Sequence, residues 1–382
     1  MSNPSDCSVR SSVLTVLERV DQGEQIQVVL AELLNRSRFS SRDRNLITEL
    51  SYGILRVEIR LQYLVTLFVP KVASLPRRCV LILFIGMYSL LFLSKVPEYA
   101  AISESVLLAR KLYGRELGNL VNAVLRRLLR EKEAALDVAT YHTAAEQSFL
   151  QAMARYYSVP FWLLEYWKAQ YGVSAAVLLV LRSFDRPKTA ILVNQAHPRM
   201  RLLKDALEAA RKDHAFVKKV GEYGYVLDRG GLSDLVSTAL MDEWHRDGIF
   251  SYQSFGSQAL LWKLGLRNWQ RPVWDMCAGA GGKSALLAEA GVPVALCTDI
   301  SWKRLSYLSA DFARRKLSRP CCVLSDSVHA PIRSFSGNIL LDVPCSGLGI
   351  LARRPDLRQK RKTKRSIRHF PQMQKDLLEQ AA

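Results

Sequence analysis

Cysteine is sparse and poorly spaced for metal binding. The seven residues, Cys7, Cys79, Cys277, Cys297, Cys321, Cys322 and Cys345, include no Cys-x-x-Cys pair. Neither zinc nor any other metal is therefore expected. An odd count in a chain of 382 residues argues against a disulfide framework and for a reduced, cytoplasmic setting. No apolar run reaches the roughly 20 residues that a membrane span needs. The longest, Cys79 to Leu93, has 15 residues and contains Gly86 and Ser89, so it reads as a buried core helix. Met1 to Ser12 is polar and lacks the apolar core of a secretory signal. Acidic side chains are also in deficit, with 35 Asp+Glu against 54 Lys+Arg and a formal charge of +19. A surplus of that size marks a binder of polyanions, nucleic acid first among them.

What is present divides into three stretches. Residues 1 to about 135 read as helices, with Val13, Leu14, Leu17 and Val20 at helical spacing, followed by Val28, Val29, Ala31, Leu33 and Leu34. Ser40 to Asp43 predicts the start of a helix running from Arg44 to Arg56. Pro76 and Pro97 bracket the apolar helix, and two more follow at Ala101–Leu112 and Gly118–Leu129. From about 140 to 245 the pattern is mixed. A strand at Thr189–Asn194, a basic helix at Arg201–Lys212 and a strand at Tyr223–Leu227 stand out there. Beyond 246, strands at Pro272–Asp275, Pro293–Asp299, Cys321–Leu324 and Asn338–Asp342 alternate with helices at Gly282–Ala290 and Lys303–Lys316. That alternation means a parallel sheet with crossover helices. The expected domains are 1–138, 139–245 and 246–382.

The chemistry sits in the last stretch. Cys277-Ala278-Gly279-Ala280-Gly281-Gly282-Lys283 is a glycine-rich turn between strand and helix, where backbone amides can approach a ligand closely. Asp299 ends the next strand, where a carboxylate can accept ribose hydroxyls, and Asp326 follows the third, placed to meet an adenine amino group. A nucleoside-bearing cofactor is expected. The fourth strand ends in Asp342-Val343-Pro344-Cys345, an acid and a thiol together. Thiolate attack at C6 of cytosine, with the ring polarised at N3, would turn C5 into a carbon able to accept a methyl group. Arg353 to Arg368 carries nine basic side chains and one acid, Asp356. Of these, Arg353, Arg354, Arg358, Lys360, Arg361 and Lys362 are the expected partners of RNA phosphates.

These residues carry a resemblance. Arg42-Asp43-Arg44, Glu49-Leu50-x-Tyr52-Gly53-x-Leu55-Arg56, Val96-Pro97 and Val121 to Arg126 look like the NusB-like RNA-binding domain. Asp342-x-Pro344-Cys345-Ser346-Gly347-x-Gly349 with Arg353-Arg354-Pro355-Asp356 resembles the signature of the Sun/Fmu (RsmB-type) 16S rRNA cytosine-5 methyltransferases. The resemblance spans essentially the whole chain. It implies an all-α NusB-like bundle, a small α+β linker domain and a Rossmann-like class I methyltransferase domain. It further implies S-adenosylmethionine as cofactor, small-subunit ribosomal RNA as partner, and a monomer.

By that resemblance, Cys277 to Lys283 hold the methionine end of the cofactor, Asp299 the ribose and Asp326 the adenine. Asp342 faces both cofactor and base, with Lys283 near it, and Gln253 and Gln258 fall among the approach residues. The sequence departs from the family at Ala278-Gly279-Ala280, where Ala-Ala-Pro is usual, at Ser254, where an Asp is usual, and at Val343 and Leu348, which replace small residues. The family's attacking cysteine lies in a later Thr-Cys segment, and the chain is expected to end before it. Cys345 would then act either in product release, as the family implies, or as the attacking thiol. An RNA-binding assembly protein without turnover and a NusB-like antitermination factor stay open beside the methyltransferase.

Overall fold

The computed structural model describes residues 8–36, 39–144, 148–213, 217–227, 236–360 and 363–382. The chain forms two compact units, one made of Met1–Arg186 with Gly347–Arg368, the other of Pro187–Ser346 with His369–Ala382.

The first unit is helical, with α1 (Val9–Asp21), α2 (Ile26–Arg36), α3 (Ser41–Arg56), α4 (Glu58–Phe68) and α5 (Arg77–Phe92) in succession. Next come α6 (Glu98–Arg130), α7 (Lys132–Leu136), α8 (Phe149–Tyr156) and α9 (Phe161–Phe184). Ser40 caps α3 by accepting a hydrogen bond from the Asp43 backbone N–H at 3.1 Å. The apolar run is α5, buried from Cys79 to Leu91 and packed mainly on α6. Gly86 is required where they meet, because a Cβ there would lie 2.5 Å from Cδ1 of Leu125. Gly114, at φ 81°, breaks α6 into the two helices read from the sequence.

The second unit holds two sheets. The first is built from β1 (Thr189–Val193), α10 (Met200–Asp213), β2 (Val217–Val220), β3 (Gly224–Leu227), α11 (Thr238–Arg246) and β4 (Phe250–Tyr252). Its strands run antiparallel in the order β2-β3-β1-β4, and α12 (Phe255–Lys263) packs on it.

The second sheet contains β5 (Val273–Asp275), α13 (Gly282–Glu289), β6 (Val294–Asp299), α14 (Trp302–Arg314), β7 (Cys321–Leu324) and β8 (Asn338–Leu340). Its order is β7-β6-β5-β8, all parallel. The chain steps from β5 outward to β7 and then returns to the far side of β5. The switch point therefore falls between β5 and β8, where open α/β sheets bind ligands at the carboxyl ends of their strands. Leu341 and Asp342, expected in the fourth strand, lie beyond its ladder. Among the described residues no strand pairs with the other edge of β8.

After Ser346 the chain rejoins the helical unit, where α15 (Asp356–Lys360) lies, and α16 (Phe370–Ala381) belongs again to the second unit. Leu351 and Leu357 are buried against Val159, Leu163 and Trp167. A helical N-terminal part followed by an α/β part with a parallel sheet is the expected architecture. The compact units do not part where the sequence was divided, because α8 and α9 pack with the helical unit instead of with the strands that follow.

Candidate active site

Four carboxylates mark the carboxyl ends of the four parallel strands: Asp275 ends β5, Asp299 ends β6, Asp326 lies just past β7 and Asp342 just past β8. All four line one cavity of about 640 Å³. That volume falls in the range of small-molecule and cofactor sites, roughly 300–1,000 Å³. The glycine-rich turn from Cys277 to Lys283 forms another part of the lining, with Gly281 set back from it, and Cys345 completes the set of expected residues.

The turn is held by its neighbours. The Gly279 N–H donates to Asp299 Oδ2 at 3.0 Å with Gly279 at φ 57°, a left-handed conformation that favours glycine. Asp299 Oδ1 accepts the Ser301 N–H at 2.8 Å, and Arg304 reaches Oδ2 at 3.2 Å. The Gln253 side-chain amide donates to the Gly282 carbonyl at 2.9 Å. Gly281 begins α13 at φ 80°, and a Cβ there would sit 2.4 Å from Cγ of Leu308. Gly281→Ala is therefore expected to lower the stability of this unit by about 1–3 kcal/mol. Chemical denaturation would read that loss as an earlier midpoint.

Burial sets the electrostatics. Asp275 is 1% exposed; its Oδ2 accepts from Ser284 Oγ at 2.5 Å, whereas Oδ1 has no partner. Desolvation raises its carboxyl to about 6, opposed by the Ser284 hydrogen bond and Lys283. Between the ordinary 3.8 and that value, the folded protein keeps a proton that the unfolded chain has lost. This group's contribution to stability therefore falls as pH rises through the window. Asp275→Asn should remove the penalty, making the variant more stable than the parent near neutral pH, with the difference shrinking toward about pH 4. Paired thermal melts across that range would check it. Burial, and then the four surrounding carboxylates, push the Cys277 thiol up to about 11. Cys277 is thus held as a thiol, not a thiolate. Cys345 is exposed, and Asp342, half exposed, is ion-paired with Lys283.

Two known families match the chain. The NusB family matches residues 8–130, and the family described as 16S rRNA methyltransferase RsmB/F matches residues 262–382. A probable ribosomal RNA small subunit methyltransferase B of Bacillus subtilis is 27% identical over 373 residues, covering 94% of this chain and 78% of its own. A ribosomal RNA small subunit methyltransferase B of Klebsiella pneumoniae is 27% identical over 388 residues, covering 97% of this chain and 82% of its own. The chain belongs to the Sun/Fmu family. The solved structure of PH0851 shares the fold, with a TM-score of 0.70 at 18% identity over 98% of this chain and 83% of that one.

Where the chain departs from the Sun/Fmu pattern, the local geometry remains ordered. Ser254 still caps α12, its Oγ accepting the Ser257 N–H at 3.2 Å, as the usual Asp would. The lining also includes Asp275, Ile300, Val328, Phe370 and Met373, which were not among the expected site residues. Ile300, 65% exposed, had a readable signal in its place directly after a strand-end acid.

The basic stretch is a different matter. Its described residues belong to the helical unit, not to the unit holding the cavity. Arg358, expected at RNA phosphates, is 3% exposed. It donates to the carbonyls of Tyr157 (2.8 Å), Ser158 (2.5 Å) and Ser183 (2.5 Å). That expectation is corrected: backbone acceptors distant in sequence occupy its terminal nitrogens. Arg354 is bidentate with the buried Asp356, at 2.9 and 2.8 Å. Arg353 is partly buried. Lys360 ends α15, and its side chain, like the whole of Arg361 and Lys362, lies outside the described residues. No helix among the described residues is long and apolar enough to cross a membrane.

Proposed function

We propose that this protein transfers a methyl group from S-adenosylmethionine to C5 of a cytosine in small-subunit ribosomal RNA. The observation that carries the reading is the convergence of four strand-end carboxylates, an open glycine turn and an exposed thiol on one cavity. The residues fit the cofactor chemically. Asp299 and Asp326 are acceptors suited to hydroxyl and amino groups. Asp275 Oδ1 is a buried acceptor without a partner, suited to a cationic group. A Cβ at Gly279 or Gly282 would meet nothing within 4 Å, which leaves space for a ligand to approach the backbone. S-adenosylmethionine supplies an electrophilic methyl group there.

The protein's own groups act on the base. The Cys345 thiolate adds to C6, forming a C–S bond, while a proton shared between Asp342 and N3 draws charge from the ring. Addition shifts the C5=C6 pair to a C4=C5 enamine, which would take up the methyl group while the pair of the broken methyl–sulfur bond stays on the cofactor's sulfur. Loss of the C5 proton to a base and departure of the thiolate break the C–S bond and restore the double bond. Lys283, paired with Asp342, fixes the carboxylate beside the thiol. Asp342→Asn and Cys345→Ala test this chemistry. Methylation that survives both changes would remove Asp342 and Cys345 from it.

A further inference from the structure

Arg315 stands outside the lining of the strand-end cavity, and its side chain is 1% exposed. It follows α14 directly, and its guanidinium holds three elements at once. Nε and Nη2 both donate to Oε1 of Glu289, the last residue of α13, at 2.9 and 2.8 Å. Nη2 also donates to Ser251 Oγ of β4 at 2.9 Å, and Nη1 donates to Asp311 Oδ2 of α14 at 3.2 Å. The Arg315 carbonyl is fixed too, accepting from the side-chain amide of the buried Asn194 at 2.9 Å.

Stability alone is a poor reason for this arrangement. Taking two ions out of water costs about as much as their attraction returns, and apolar residues of similar volume often serve a core as well. Glu289 makes the pair poorer still. Its Oε2 is buried with no hydrogen-bond partner among the described residues, and desolvation raises its carboxyl to about 7 against the pull of Arg315. What the pair does supply is fixed distances to particular partners.

Those partners lead to the glycine turn. Side chains two residues apart on a strand share a face. Gln253 extends the pairing of β4, its N–H donating to the Ala190 carbonyl at 3.0 Å and its carbonyl accepting from the Gln258 side chain at 3.2 Å. Ser251 thus reaches Arg315 and, through it, the end of α13 at Glu289. Gln253 reaches the start of α13, donating to the Gly282 carbonyl at 2.9 Å. The helix that carries the turn is tied to one strand at both ends.

We propose that Arg315 is a positioning residue for the cofactor. By bracing α13 against β4 through Glu289 and Ser251, it fixes the Gln253–Gly282 bond and the shape of the turn that receives S-adenosylmethionine. The inference rests on the methyl-transfer reading for its ligand, whereas the brace can be measured without one.

The test uses the full chain with Arg315→Met and Ser251→Ala. The second variant removes one hydroxyl and keeps the ion pair, so it decides the matter even where the first fails to fold. Amide hydrogen exchange without cofactor should be faster in Ser251→Ala across residues 277–286 and unchanged in β7. Parent-like exchange in the turn, or equally faster exchange in both places, would overturn the proposal. Calorimetric titration should show S-adenosylmethionine binding weakened by about 3- to 30-fold in either variant. Adding Gln253→Ala to either should weaken it by less than about twofold more, because the bond it removes is already slack. Losses that multiply as independent effects would overturn the proposal, as would parent affinity in Ser251→Ala. A parent protein that binds no S-adenosylmethionine would count against the methyl-transfer reading, and the exchange result would still decide the brace.

Discussion

Cys345→Ala is expected to abolish methyl transfer, a loss of about 10⁴-fold or more if the residue is the attacking thiol. Two thiols, Cys277 and Cys345, line the cavity at the strand ends. Cys277 is partly buried among four carboxylates, which together with desolvation hold it protonated up to about pH 11. Cys345 is exposed and stands three residues after Asp342. RNA carrying 5-fluorocytosine separates the possible roles, because a C5 fluorine cannot leave as a proton does and the C–S adduct persists. The parent protein and Cys277→Ala should both form the adduct, and Cys345→Ala should not. An adduct that accumulates in Cys345→Ala would assign the attack to another cysteine and give Cys345 the release step.

Asp342→Asn should reduce turnover by about 10²–10⁴-fold, the usual scale for losing a positioned proton-transfer group. Asparagine keeps the size of the side chain and removes its capacity to share a proton with N3. It also breaks the ion pair with Lys283, which is largely shielded from solvent. Single-turnover rates at saturating RNA, set beside S-adenosylmethionine affinity, distinguish chemistry from binding. A variant that loses only cofactor affinity and keeps its single-turnover rate would show that Asp342 binds but does not act.

Much of the lining of the strand-end cavity was legible because its signals are local. A parallel strand is a short apolar run ending in a turn. Thus Asp275, Asp299 and the strand Cys321–Leu324 were placed within a residue of where β5, β6 and β7 end. The glycine turn was readable for the same reason, as was the break between the two long helices that Gly114 supplies.

What the sequence concealed was long-range. Arg358 sits in a run of basic residues and looks like part of a solvated face. The carbonyls that bury it belong to Tyr157, Ser158 and Ser183, far back in the chain. The membership of Gly347–Arg368 in the helical unit has the same origin, since Leu351 and Leu357 look like ordinary loop hydrophobes until Val159 and Leu163 are placed beside them. Phe370 and Met373 carry no local mark in the sequence. Nothing within α16 says that they border a cavity.

The most direct test of the central claim is incubation of the protein with methyl-labelled S-adenosylmethionine and unmodified small-subunit ribosomal RNA, with the nucleosides resolved by mass spectrometry. The expected result is labelled 5-methylcytosine, absent when Asp342 and Cys345 are both replaced. RNA that binds tightly yet carries no label, or label on any atom other than cytosine C5, would contradict it.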